Sequence, residues 1–121
     1  PGTLVALDIN VDNVMLDIET AVPCGLIINE LISNALKHAF NGVDYKGTIT
    51  VNFKTVGCQY VLEIKDDGLG LPAGFTLDST SSMGMEIVTI LTQQLDGRLD
   101  FDSAKGARFE ITFPRKDKNV S

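Results

Sequence analysis

At 121 residues, 44% of them hydrophobic and 21% charged, the chain fits one compact domain able to bury its own core. Its net charge of −6 argues against non-specific nucleic-acid binding, which needs clustered Lys and Arg, and any phosphate ligand would need cations supplied locally by a metal ion or a few placed lysines. No apolar stretch reaches the roughly 20 uncharged residues of a membrane span, because Glu30, Lys37 and His38 interrupt the longest candidate, and no signal-peptide pattern opens the chain.

The first residue is Pro1 rather than methionine and the chain runs at once into strand-like residues, so it reads as a piece of a longer protein. Val5, Leu7 and Ile9 alternate with Ala6 and Asp8 and predict a short strand; Val14 to Ile18 predicts a second after the turn-prone Asp12-Asn13. The clearest helix follows. Pro23 suits its first turn, apolar residues recur at Leu26, Ile27, Leu31, Ala35, Leu36 and Ala39, and Asn41-Gly42 closes it. Cys24, within it, and Cys58 lack metal-ligand spacing and read as reduced thiols of a cytoplasmic protein. Period two returns at Ile49, Val51 and Phe53 and again at Tyr60, Leu62 and Ile64, with Gly57 between them, and predicts a hairpin.

A loop from Leu71 to Ser82, with Pro72, Gly74 and a Ser/Thr-rich end, reads as mobile. Ser81 or Ser82 caps a second helix reaching Leu95, with Ile87, Val88, Leu91 and Leu95 inward and Gly97 as its stop. Leu99 to Asp102 and Phe109, Ile111 and Phe113 complete a final hairpin around Ala104 to Gly106. These elements predict one domain over residues 1–114 and a polar C-terminal tail over 115–121. Hairpins in place of regular βαβ alternation predict an α/β (α+β) sandwich, with helices packed on one face of a mixed, mostly antiparallel sheet.

Two segments concentrate polar chemistry. In NELISNALKHAF, Glu30, Asn34, Lys37 and His38 fall at offsets 0, 4, 7 and 8 and share one helical stripe. That stripe is either a solvated face or a ligand site. In the second reading the Asn34 carboxamide oxygen suits Mg²⁺, Glu30 orients or deprotonates a water, and Lys37 offsets phosphate charge. His38 reads as a partly buried side chain, a ligand contact or a phosphoryl acceptor. In DDGLGLP, Asp66 and Asp67 end a strand, and Gly68 and Gly70 permit backbone conformations closed to other residues. A carboxylate fixed there can accept a hydrogen bond from an exocyclic amine such as that of adenine; the alternatives are an ordinary Asp-Gly turn or a calcium loop, for which Leu69 and Leu71 occupy positions that want ligands. Ser82, Met83 and Gly84 open the second helix, whose free N–H groups make either a phosphate cradle or simply a capped start.

Together these residues resemble the ATP-binding catalytic domain of sensor histidine kinases, within the superfamily that includes gyrase, Hsp90 and the mismatch-repair MutL proteins, whose domain is the Bergerat-type ATP-binding fold. NELISNALKHAF is similar to the family's N box, DDGLG to its G1 box, SMGMEIV to its G2 box and GARFEITFP to its last strand. The wording around the N box looks most like the subfamily with a variant phosphoacceptor domain. The resemblance implies ATP and Mg²⁺ as cofactors, with Asn34 as metal ligand, Glu30 at the catalytic-base position, and Lys37 and His38 by the phosphates. It also implies that Asp66 rather than Asp67 binds the adenine amine, that Gly68 and Gly70 flank the base, and that Ser82, Gly84 and Met85 meet the nucleotide beneath a lid.

In kinases of this type the acceptor histidine sits on a separate helical dimerisation domain of the same protein, and a response regulator acts downstream. The resemblance therefore implies a cytoplasmic, monomeric piece that binds Mg-ATP without nucleic acid and does not phosphorylate itself alone. Three departures stand out: Ser82 replaces the G2 box's frequent first glycine, Ala107 replaces a common threonine, and the lid is short, with no separate F-box evident and Phe75 partly serving in its place. The rival readings are an anti-sigma-factor-like serine kinase and a nucleotide-sensing interaction module without catalysis.

Overall fold

A computed structural model describes residues 4–39, 46–71, 74–75 and 83–115. In chain order it holds β1 (Leu4–Asp12), α1 (Ile18–Asn34) continued by one π-helical turn (Ala35–Ala39), β2 (Lys46–Val56), β3 (Gln59–Asp66), α2 (Met83–Gln94), β4 (Arg98–Asp102) and β5 (Arg108–Pro114). The strands form one sheet in the order β1-β2-β3-β5-β4, parallel between β1 and β2 and antiparallel elsewhere. Both expected hairpins are present, the first turning through Gly57 at φ 61°.

Period two decides which side of the sheet is covered. Register aligns Val51, Ile64 and Phe109 in one cross-strand row and Phe53, Leu62 and Ile111 in the next, and all six are buried. From α1 come Thr20, Cys24, Ile27 and Leu31, and from α2 Met85 and Val88, with Leu95 just past its end, which close over the same rows. Both helices therefore lie on one face, as the sequence predicts. The opposite face carries the alternate residues. There Arg108 is met by the carboxylates of Glu63, Asp102 and Glu110. Burial would raise the Glu63 pKa, but hydrogen bonds from Asn52 and Arg108, with the Arg108 charge, hold it below the ordinary carboxylate value.

One edge is left unroofed. Leu7, Ile9 and Val11 stand in register with Ile49, Val51 and Phe53 and so share their face, yet they are 53%, 59% and 60% exposed. The helix layer stops short of β1.

The first helix begins earlier than its sequence suggests. No second strand forms at Val14 to Ile18; β1 ends at Asp12, Asn13 takes φ 55°, and Asp17 caps α1 by accepting from the Thr20 N–H at 3.0 Å. Pro23 consequently lies inside the helix rather than in its first turn. The inward stripe is centred on Thr20, Cys24, Ile27 and Leu31, which rotates Leu26 and Leu36, both expected inward, out to 46% and 49% exposure.

Val88 on α2 and Leu95 just past its end are buried as expected, whereas Ile87 and Leu91 are half-buried and Met85 and Thr92 take the inner positions. The Thr92 hydroxyl is satisfied by donating to the Val88 carbonyl at 2.7 Å. The helix stops through Asp96, not Gly97. Asp96 adopts φ 57°, its N–H donates to Gln93 O at 3.0 Å, and the Gly97 N–H reaches Thr92 O at 2.9 Å. Gly97 is needed for space instead, since a Cβ there would sit 2.9 Å from Thr112 O and 3.0 Å from Phe113 Cβ. Arg115 remains attached, its N–H donating to Cys58 O at 2.9 Å. The expected closure at Asn41-Gly42, the capping serines, most of the mobile loop and the tail from residue 116 lie outside the described residues.

The two stop residues give opposite expectations. Asp96→Gly should raise stability by about 0.5–1 kcal/mol by relieving a left-handed aspartate, and Gly97→Ala should lower it by about 1–3 kcal/mol through the backbone collision. Urea midpoints at unchanged slope would measure both, and a destabilised Asp96→Gly would contradict the backbone account.

Candidate functional site

The inward row of β3 runs Tyr60, Leu62, Ile64 and then Asp66, so the same alternation that builds the core delivers a carboxylate into the helix-side layer at the strand's end. Asp66 is 7% exposed and is the one buried acidic side chain among the described residues. Its Oδ1 accepts from the Gly68 N–H at 2.9 Å and the Ala107 N–H at 3.3 Å, and its own N–H donates to Ala107 O at 2.9 Å. Burial pushes its pKa up; the two amide hydrogen bonds oppose that shift and the neighbouring Asp67 charge adds to it. Asp67 is exposed and does something else. Its Oδ1 accepts from the Thr48 N–H at 2.8 Å while its N–H donates to Thr48 O at 3.2 Å, which ties the bend to β2.

Two glycines make this geometry possible. Gly106, at φ +79°, passes so close beneath Asp66 that a Cβ would fall 2.0 Å from the Asp66 carbonyl oxygen. Gly70, at φ +82°, faces Ser103, whose Oγ would be 2.5 Å from any Cβ. That Oγ accepts from the Leu71 N–H at 2.7 Å. Beyond it, Phe75 meets the Phe101 ring edge-on at 5.1 Å. Ser103 and the contact made by Gly106 were not legible in sequence, because both are cross-loop contacts between segments more than thirty positions apart; Gly106 ahead of an alternating strand was the only available signal.

On α1, Glu30 and Asn34 are both half-buried, one helical turn apart. Lys37 and His38 lie on the π-helical turn instead, so the four-residue stripe does not continue at α-helical pitch beyond Asn34. Lys37 is exposed, and the His38 side chain lies outside the described residues, as does Ser82. Gly84 is half-buried in the first turn of α2, and Met85 is turned into the core at 4% exposure. Among the described residues no group of three or more His, Cys, Asp or Glu is arranged to hold a metal ion. A cation on the Asn34 oxygen would thus take most of its ligands from phosphate and water, which is the usual manner of Mg²⁺ beside a nucleotide.

The sheet's other face offers a depression of about 410 Å³ near Lys65, Lys105 and Arg108. Its central cation, Arg108, is already neutralised by its three carboxylates.

Residues 20–117 match the family model described as histidine kinase-, DNA gyrase B-, and HSP90-like ATPase. The sensor histidine kinase PdtaS of Mycobacterium tuberculosis is 36% identical over 92 residues, covering 75% of this chain and 18% of the relative. A blue-light-activated histidine kinase of Erythrobacter litoralis is 30% identical over 97 residues, 79% of this chain and 28% of that protein. The solved histidine kinase domain of a blue-light activated kinase from the same organism superposes with a TM-score of 0.83 at 28% identity, over 91% of this chain and 51% of that one. The chain spans about a fifth of the length of the mycobacterial relative it matches.

Because folding raises the Asp66 pKa, the folded state holds that proton more tightly than the unfolded state does. Asp66 therefore costs stability as pH rises from the ordinary carboxylate range through its raised value, and the cost is complete above it. Asp66→Asn should be more stable than the parent at neutral pH, with the gap widening as pH rises through the ordinary carboxylate range and then levelling off. Urea unfolding of both proteins across that range would show it; a gap that shrinks with rising pH would reverse the sign.

Proposed function

Since the chain belongs to the histidine kinase-, DNA gyrase B-, and HSP90-like ATPase family, and is an ATP-binding catalytic domain of the histidine kinase kind, we propose that it holds Mg-ATP for γ-phosphoryl transfer to a histidine in another part of its parent protein. The observation that carries this reading is Asp66, a buried carboxylate whose Oδ1 is held by two backbone amides while its other oxygen takes no hydrogen bond from the described residues. Burying a charge without a cationic partner is costly, and a ligand amine is the group that would repay it.

In this reading Asp66 accepts a hydrogen bond from the adenine amine, and the Gly68 to Gly70 backbone lies along the base. Asn34 supplies an oxygen to Mg²⁺, which when bound neutralises charge on the β- and γ-phosphates. Lys37 and His38, on the π-helical turn after α1, with Ser82 and Gly84, are the residues that would meet the phosphates. The acceptor imidazole nitrogen attacks phosphorus in line as the bond to the β,γ-bridging oxygen breaks, and ADP leaves. Glu30 accepts a hydrogen bond from the attacking imidazole or from a water and holds it in line. Such a reaction depends mainly on positioning and charge stabilisation.

The names of the similar proteins support histidine rather than serine as acceptor. A helical dimerisation domain of the same protein and a downstream response regulator are the partners this implies, on the cytoplasmic side. Among the described residues no helix is long and apolar enough to cross a membrane.

Calorimetric titration with ATP tests the assignment. Saturable binding is expected, weakened about 10- to 100-fold by Asp66→Asn, the range for a hydrogen bond to a charged group. Asn34→Ala should remove the Mg²⁺-dependent part of the affinity and leave the metal-free part. Absence of binding at millimolar ATP would overturn the reading.

A further inference from the structure

We propose that Ser103, outside every motif read from the sequence, is a positioning residue of the nucleotide pocket, its hydroxyl latching the Gly70-Leu71 backbone that forms the wall beside the base. This rests on the nucleotide-site reading above and adds to it a residue and a role.

The segment from Asp66 to Leu71 is held at both ends by one turn, the connection from β4 to β5. At its start, Asp66 exchanges hydrogen bonds with Ala107 and lies directly over Gly106. At its end, the Leu71 N–H donates to Ser103 Oγ at 2.7 Å across 32 positions of sequence. The fit around that oxygen is close, since a Cβ on Gly70 would collide with it at 2.5 Å. A second anchor continues the seam: Phe75 packs edge-on against Phe101, two residues before Ser103 on β4. The middle of the segment is tied elsewhere, through Asp67 to Thr48 of β2.

Without the hydroxyl, the Leu71 N–H loses its acceptor among the described residues, and the Gly70 backbone gains freedom on the side where the base lies. Ordering that backbone would then be charged against each binding event. The consequence has a signature. A wall for the base serves every ligand that carries the base, so affinity for ATP, ADP and adenosine should fall by one common factor. A defect at the phosphate end would spare adenosine.

The test uses Ser103→Ala and Ser103→Thr in this 121-residue chain, titrated with ATP, ADP and adenosine, with amide hydrogen exchange of Leu71 followed by NMR. Ser103→Ala should speed Leu71 exchange and weaken all three ligands alike, by about two- to tenfold, the span of an ordinary net hydrogen bond. Ser103→Thr, which keeps the hydroxyl, should restore both. Faster Leu71 exchange with unchanged affinities would overturn the latch, and so would a loss confined to ATP and ADP. If the parent chain binds none of the three, the nucleotide reading falls and the latch with it; if the parent binds and Ser103→Ala binds equally well, the latch alone falls.

Discussion

The arrangement depends on one steric constraint: the β4–β5 turn must pass under the end of β3 closely enough for the Ala107 amide to reach the Asp66 carboxylate. Only a residue without a Cβ fits at position 106, where the nearest Asp66 atom would be 2.0 Å away. The β3–β5 register brings the chains to this point, since Ile64 faces Phe109 and Lys65 faces Arg108. On the polar side, Arg108 with Glu63, Asp102 and Glu110 binds β3, β4 and β5 together at the same level. The apolar rows on one side and the charge cluster on the other therefore converge on the position of a single carboxylate.

Much of this was legible in the sequence, for physical reasons. Alternation at Ile49 to Phe53, Tyr60 to Ile64 and Phe109 to Phe113 predicts three strands with one buried face, and all three hold. The resemblance to the kinase family, not the alternation, singles out Asp66 over Asp67; in the structure position 66 keeps the inward phase of 60, 62 and 64. The start of α1 was harder to read. Asp17 sits in an apolar run that mimics a strand, and its capping role appears only when the Thr20 N–H is seen bound to it. Pro23 pulled the expected start too far along the chain, because proline favours a first turn but is also accepted deeper when the rest of the stripe is well buried, as Thr20, Cys24, Ile27 and Leu31 are.

The π-helical turn at Ala35–Ala39 lies at the same boundary between pattern and structure. Helical offsets place Lys37 and His38 in line with Glu30 and Asn34, but the wider turn departs from the α-helical pitch on which those offsets rest. Such turns have no sequence signal of their own.

Three walls of the site come from distant parts of the chain: the helix end at Asn34, the bend after Asp66 and the turn from Ser103 to Ala107. The bend after Asp66 depends on the segments around it. Asp66 loses one of its two amide donors without Ala107, Leu71 loses its acceptor without Ser103, and Asp67 loses its donor without Thr48. The candidate site is accordingly assembled by the sheet, with β2, β3 and β5 as its scaffold, while α1 and α2 would supply the side facing phosphate in the proposed reading. That division also explains why buried charge is tolerable here: the carboxylate is placed in the folded state by rows of Ile, Leu and Phe whose burial far outweighs its desolvation.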